Sequence, residues 1–501
     1  MATRGVALAR DGRVDPYLAL GVGALAFAVY LASLPPSYGM WDTAELQTVT
    51  AILGIAHPPG APAFTLLGFA FVHAFPFGED AWRLGVMCSL CVAASAALAY
   101  AAARYFGASR IASGICALAF AFSIVTWRDA TRAETLDVAL LARVAALFFG
   151  LRWFAAGRVR DLFAMAFAFG IACSTHGLCL FVLPSLALLT GARPGWRRSA
   201  PLFAIVVGFA LGLTPYVYLP LRSAWIDTHH LDPLAGLGLP AGLAFWNYGD
   251  PSSWPNFVHL VTAADFHVRG GFAGFLALAR YPHFAAKLSR HIAEAYGYAG
   301  TLLAFGGACL FVASRRPDRL AIVIAALLPV PYTESYSDLQ DPERYYLLTF
   351  WCGAVLMAVA FDRLADLFEL RRGSVGRFCA AFAFAFTFAT VAPERSSLFG
   401  QRLDRTGPTY VAQVCAFTPD DAIVLADWSY ATPLAYASYV DGAIGHRAVV
   451  ASTPRQYLAY AARWIRRRPV YFVGFDGNLR LPGWRLRRVK SGDYFAYRLT
   501  K

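Results

Sequence analysis

Residues Trp41 to Pro62 read W-D-T-A-E-L-Q-T-V-T-A-I-L-G-I-A-H-P-P-G-A-P, directly after a first apolar run from Tyr17 to Leu34. Asp42 and Glu45 stand three residues apart, so a helix here carries both carboxylates on one face. The stretch ends in His57-Pro58-Pro59-Gly60, where prolines stiffen a corner that presents an imidazole. Carboxylates just outside a membrane, beside a histidine and a rigid turn, suit a reaction centre. A surface helix capped by Asp42 is the plainer reading of the acids. The residues alone leave both open.

The composition around this stretch is that of a membrane protein. The 501 residues are 58% hydrophobic and 15% charged, with mean hydropathy +0.49, whereas soluble domains carry roughly 25% charged residues. Apolar runs long enough to cross a bilayer recur along most of the chain. The net charge of +13 is mostly arginine, clustered between apolar runs, which marks cytoplasmic loops and not a nucleic-acid partner. Eight of the nine cysteines lie in apolar runs, which argues against a disulfide framework. Cys88-x-x-Cys91 has no second pair, so it reads as two small core residues. Arg-over-Lys and Ala-rich usage suggests a GC-rich bacterial genome.

Helices are expected near 16–35, 83–104, 111–127, 135–154, 161–175, 177–191, 200–219, 294–314, 319–332, 345–361 and 378–393, about eleven spans in all. The first is read as an uncleaved helix, because Pro35-Pro36 follows it in place of a small-x-small cleavage site. The run from Pro58 to Phe75 is also long enough to span. If it spans, the basic N-terminus and the later basic loops fall on opposite sides. If it does not, Arg104/Arg110, Arg152/Arg158/Arg160, Arg193/Arg197/Arg198, Arg315/Arg316/Arg319 and Arg363/Arg371/Arg372/Arg377 all share the N-terminal side. The positive-inside rule therefore makes 58–75 an outer surface or re-entrant helix. The N-terminus becomes cytoplasmic, and the segments 36–82, 127–135, 220–292, 333–344 and 394–501 become external, in what reads as a bacterial inner membrane.

Two domains follow: a membrane domain, 1–393, and an extracytoplasmic α/β domain, 394–501. In the latter, strand-length apolar runs (Ala422–Ala426, Ala448–Ala451, Val470–Phe475, Tyr494–Leu499) alternate with helical patterns. There is no glycine-rich phosphate loop.

The residues able to do chemistry crowd the outer side. Asp42 is the best base, since an ionised carboxylate at the water boundary can take a proton from a hydroxyl. Glu45 shares that task or holds a substrate hydroxyl. His57 meets a phosphate as donor or partial cation. In T-W-R-D-A-T-R-A-E-T (126–135), Arg128 and Asp129 read equally as a solvated loop with local ion pairs or as site groups. Glu134 enters the membrane, where a carboxylate needs a role or a partner. Arg222 is either a snorkelling residue or an anion clamp. Trp246 and Asp250, in the aromatic loop 244–266, suit sugar stacking or an interfacial belt. Asp338, Asp341, Glu343 and Arg344 cluster in 336–346, but their spacing matches no EF-hand, and no metal site is assigned. A divalent metal remains conceivable.

The motifs W-D-T-A-E-L and G-I-A-H-P-P-G-A-P (54–62) carry a family resemblance, supported by A-E-T at 133–135, T-H-G at 175–177, Y-L-P-L-R at 218–222, N-Y-G-D-P at 247–251 and D-P-E-R-Y at 341–345. The sequence resembles the GT-C membrane glycosyltransferases related to the vertebrate transmembrane protein O-mannosyltransferase. The resemblance covers most of the membrane part. It implies a polyprenyl-phosphate sugar donor, an outer-face protein or glycan acceptor, a catalytic carboxylate in the first outer loop and a surface helix behind it. The second outer loop, R-D-A-T-R-A-E-T, is more charged than that pattern. On this reading transfer is inverting. Asp42 is the base, with Glu45 beside it. His57, Arg222 and Arg132 hold the phosphate, and Glu134, His176, Trp246, Asp250, Asp338, Glu343 and Arg344 contact substrate. No nucleotide cofactor is needed. The rival readings are a polytopic transporter or lipid flippase, which usually shows inverted repeats and midplane polar groups, and a non-catalytic scaffold. No repeat is evident in the sequence.

Overall fold

The computed structural model of the protein describes residues 14–269, 271–336, 342–367, 397–453 and 455–501. The body is helical. α1 (Val14–Ser33) is followed by the short α2 (Trp41–Ile52) and α3 (Pro62–Ala74), then by the long α4 (Asp80–Tyr105). α3 has 13 residues, roughly 20 Å of helix against the ~30 Å of a hydrocarbon core. It is therefore too short to cross, as the arginine distribution requires.

Among the described residues, six helices are long and apolar enough to span, or seven if a bent pair counts as one span. That pair occupies the expected 111–127 helix. It consists of α5 (Arg110–Ala121) and α6 (Ile124–Ala130), bent by 63°. Ser123 causes the break, because its hydroxyl caps α6 by accepting from the Thr126 amide at 3.4 Å. The chain from 127 to 134 is consequently not a solvated loop. Asp129, Thr131 and Glu134 are buried. α7 (Thr135–Ala156) then crosses. The runs 161–175, 177–191 and 319–332 form shorter helical pieces, Val159–Cys173, Gly177–Val182 with Leu183–Gly191, and Pro317–Leu327 with Pro329–Thr333. The 200–219 run continues to Thr228. The helix expected at 294 begins at Tyr281, because the polar first part of that helix lowers hydropathy without breaking helical pattern. The 378–393 span lies outside the described residues. Small side chains let α4 pack deep in the bundle. Trp351 is fully buried there, and its indole N–H donates to the Ser95 carbonyl at 2.8 Å.

The C-terminal unit carries five strands, β1 (Ile423–Ala426), β2 (Ala448–Ala451), β3 (Val470–Gly474), β4 (Arg485–Lys490) and β5 (Phe495–Thr500), in the order β2-β1-β3-β5-β4. β1 pairs in parallel with β2 and β3, whereas β5 runs antiparallel to both β3 and β4. β4 is absent from the sequence reading because R-L-R-R-V-K has no apolar run. It is a largely exposed edge strand, and its arginines guard that edge. The unit sits on α2. Tyr436 stacks on Tyr38 at 4.5 Å and its hydroxyl accepts the Ala81 amide at 3.0 Å.

Orientation in the membrane has a direct test. In a cysteine-free background, thiols at Phe77 and His229 should label from the external side, and a thiol at Arg158 only after permeabilisation. All three positions are exposed. External labelling at Arg158 would reverse the arrangement.

Candidate active site

α2 begins at Trp41 and ends at Leu53, whose left-handed backbone (φ 55°) stops the helix. Gly54 follows because nothing larger fits: a Cβ there would lie 2.1 Å from the Phe245 carbonyl oxygen. Ile55 then bonds the Trp246 carbonyl at 3.1 Å. The turn His57-Pro58-Pro59-Gly60 contains a cis peptide between the prolines and brings His57 back beneath the start of α2.

There Glu45, fully buried, receives the His57 backbone N–H at 2.8 Å on Oε1 and contacts the ring Nδ1 through Oε2. Burial pulls the His57 imidazolium down, but the Glu45 and Asp42 carboxylates outweigh it and lift His57 up to about 9. His57 is therefore a cation at neutral pH. Asp42, one helical turn before Glu45, accepts the Trp428 indole N–H on Oδ1 at 2.7 Å.

These groups open onto a cavity of about 790 Å³, a size typical of small-ligand sites. Asp42, Thr43, His57, Arg132, Glu134, Arg344 and Tyr345 line it. Tyr248 and the C-terminal residues Gln401, Asp404, Thr406 and Trp428 complete it. The Arg344 guanidinium grips Glu134 with both arms, at 3.1 and 3.0 Å, and the Thr43 hydroxyl donates to the same carboxylate at 3.4 Å. Burial pushes the Glu134 carboxyl up, Arg344 pulls against it, and it stands at about 7.

Asp42, His57, Arg132, Glu134 and Arg344 thus share one cavity, although they come from four separate parts of the sequence. Other expected site residues lie elsewhere. Glu45 does not face the cavity. It is the buried partner of His57, because its side of α2 packs inward. Arg222 does not line this cavity. It donates to the Leu53 and Ile52 carbonyls at 2.6 and 3.1 Å, capping the C-terminus of α2 where helix carbonyls lack partners. Tyr218 adds its hydroxyl to Leu53 and Gly54 at 2.9 and 2.6 Å. His176 stands one ring behind the cavity, edge-on to Tyr345 at 5.9 Å. Burial and then Arg143 pull it down to about 3, and its neutral Nδ1 accepts the Leu178 amide at 3.2 Å. Asp250 serves its own loop, accepting from Ser223 and Ser252 at 2.9 and 2.6 Å. Trp246 packs against Tyr439 at 5.9 Å. Glu343 pairs with Arg128 at 3.5 Å, off the cavity. Asp338 lies outside the described residues. Trp428, Thr43, Tyr345 and Gln401 were missed. For Trp428 there was a signal: it follows the carboxyl end of a parallel strand, where open α/β sheets place their functional groups.

Asp42, Glu45 and His57 bring ligand atoms within 4.8 Å of one another, a spacing that suits a divalent metal. Both Glu45 oxygens already contact His57, so a metal would have to share them.

A helical body with a short helix behind an acidic α2, roofed by an α/β unit, is a GT-C-like fold of polytopic membrane proteins. ArnT from Cupriavidus metallidurans bound to undecaprenyl phosphate superposes with TM-score 0.57 at 15% identity, covering 98% of each chain. The Archaeoglobus fulgidus oligosaccharyltransferase in complex with Zn and sulfate gives 0.53 at 14%, covering 91% of this chain and 68% of that one. At such identities the likeness is one of fold. Within the class, residues 42–199 match the family model of the Protein O-mannosyl-transferase TMEM260 N-terminal domain. The mouse Protein O-mannosyl-transferase TMEM260 is 32% identical over 211 residues, which are 41% of this chain and 30% of that protein. The Dictyostelium discoideum relative is 26% identical over 211 residues, 38% of this chain and 26% of that one. The chain therefore spans about a third or less of the curated relatives it matches, and the resemblance carried by W-D-T-A-E-L and G-I-A-H-P-P-G-A-P stands for that shared part.

Proposed function

We propose that the protein is an inverting glycosyltransferase that moves a sugar, mannose in the first instance, from a polyprenyl-phosphate donor to a hydroxyl on an external protein or glycan. The observation that carries this reading is the facing of Asp42 and the cationic His57 on one cavity wall. Asp42 takes the acceptor proton as the hydroxyl oxygen attacks the anomeric carbon. The bond from that carbon to the phosphate oxygen breaks, and the polyprenyl phosphate leaves with its charge facing His57 and Arg132. Glu134, held by Arg344, orients sugar or acceptor hydroxyls. Arg222 takes no part in holding phosphate and instead secures the end of α2. The engaged Glu45–His57 pair favours a reaction without a resident metal. The likeness to ArnT, whose structure holds undecaprenyl phosphate, and to named O-mannosyl-transferases supports a lipid-linked donor. An inner-membrane location in a bacterium, with the cavity external, completes the reading.

Proteoliposomes supplied with labelled polyprenyl-phosphate mannose and external acceptor should transfer label, with EDTA leaving the rate unchanged. Because His57 is held as imidazolium up to about 9, the rate should persist through neutral pH and fall above pH 9, and His57→Gln should remove that fall along with most activity. Label carried into sealed vesicles without transfer to an acceptor would support the transporter reading instead.

A further inference from the structure

We propose that Trp428 is a positioning residue for the transfer reaction, the means by which the C-terminal α/β unit holds Asp42 in its working orientation. The inference rests on the reading of Asp42 as the base.

Trp428 opens the helix Trp428–Tyr439, directly beyond β1. β1 lies between β2 and β3, so the chain leaves it toward one neighbour while the other neighbour arrives from elsewhere. At such a switch point the strands' carboxyl ends diverge and functional groups collect. Asp427 fixes the spot against β3 and the residue that follows it. Its amide bonds the Val473 carbonyl at 2.9 Å, and its carboxylate accepts the Phe475 amide at 3.2 Å. The backbone that carries Trp428 is therefore pinned to the centre of the sheet.

The side chain is equally constrained. The indole lies nearly parallel to Phe245 (5.8 Å, 12°) and edge-on to His57 (5.8 Å, 83°). Its N–H then has one partner, Asp42 Oδ1 at 2.7 Å, within the short range of bonds to an ionised acceptor. Engaging Oδ1 from above leaves Oδ2 to meet the acceptor hydroxyl, and it fixes the χ angles of an aspartate that α2 alone would leave free to rotate.

The contact is not needed for docking. Tyr436 already joins the unit to the segment before α2 and to α4, through its stack on Tyr38 and its bond to the Ala81 amide. Gly407 packs so closely that a Cβ would lie 2.4 Å from the Tyr38 carbonyl oxygen. Removing the indole N–H should therefore disturb orientation and spare the interface.

The test is a double-mutant cycle on the full chain in proteoliposomes. Trp428→Phe should lower kcat roughly 10- to 100-fold, the range for losing a hydrogen bond to a charged group, with the KM for donor and acceptor and the melting temperature near wild type. Trp428→Leu carries the same expectation if the Phe variant folds poorly. In an Asp42→Asn background the same substitution should cost less than about twofold, because the group it positions has already lost its role. Equal losses in the two backgrounds, or wild-type kcat for Trp428→Phe, would overturn the proposal. Wild-type transfer by Asp42→Asn would overturn the underlying assignment of the base and take this inference with it.

Discussion

Asp42→Asn should lower transfer by about 10²–10⁴-fold while expression and melting temperature stay near wild type. The substitution is isosteric. The amide oxygen can still accept the Trp428 indole N–H that now reaches Oδ1 at 2.7 Å, so that contact survives. What disappears is the negative charge and with it the capacity to take a proton. Single-turnover measurement with labelled donor separates this from a binding defect: the chemical step should slow while donor affinity holds. Full activity in Asp42→Asn together with loss in Glu134→Gln would move the base to Glu134, a second carboxylate on the cavity, which stands at about 7.

The second large effect is on stability. Arg344→Ala should destabilise the protein by about 3 kcal/mol or more, because breaking a buried ion pair leaves an uncompensated charge. Glu134 is 3% exposed, and Arg344 makes two charge-assisted bonds to it. The sign of the pH dependence follows. The folded-state value of Glu134 is about 7, above its ordinary 4.5, so the folded protein holds this proton more tightly than the unfolded chain does. Its contribution to stability is complete below about 4.5 and is lost as pH rises through 7. Without Arg344 the carboxyl rises further. The Arg344→Ala deficit in melting temperature should therefore be small at pH 5 and large at pH 8. Arg344→Met with Glu134→Gln should recover part of the loss at pH 8, since the buried charge is then gone. A deficit equal at both pH values would show that Arg344 acts through packing and not through this pair.

Much of the architecture is written locally. A bilayer imposes a length and an apolarity on each crossing segment, and arginine cannot be carried across cheaply, so the bundle, the surface position of α3 and the placing of α2 behind the first span follow from residue order. Strand and helix in the C-terminal unit follow where apolar runs are short and uninterrupted. β4 escaped because an edge strand needs no apolar face. The 111–127 helix broke at Ser123 because a single side-chain cap can end a helix whose hydropathy continues.

The site divides in the same way. That Asp42, Glu45 and His57 are neighbours follows from residue order, since one helical turn and one stiff corner are short-range geometry. Residue order also marks Glu134 as a carboxylate in need of a role or a partner. Which partners these groups have is a matter of long-range packing. It turned Glu45 inward to His57, joined Glu134 to Arg344 across 210 positions, and set Arg222 on the end of α2 instead of in the cavity. It also delivered Trp428 to Asp42 from 386 positions away. Local pattern specifies which way a side chain points from its own helix. What it meets there depends on how distant segments dock, and docking is fixed by the summed packing of many surfaces that no short stretch of sequence encodes.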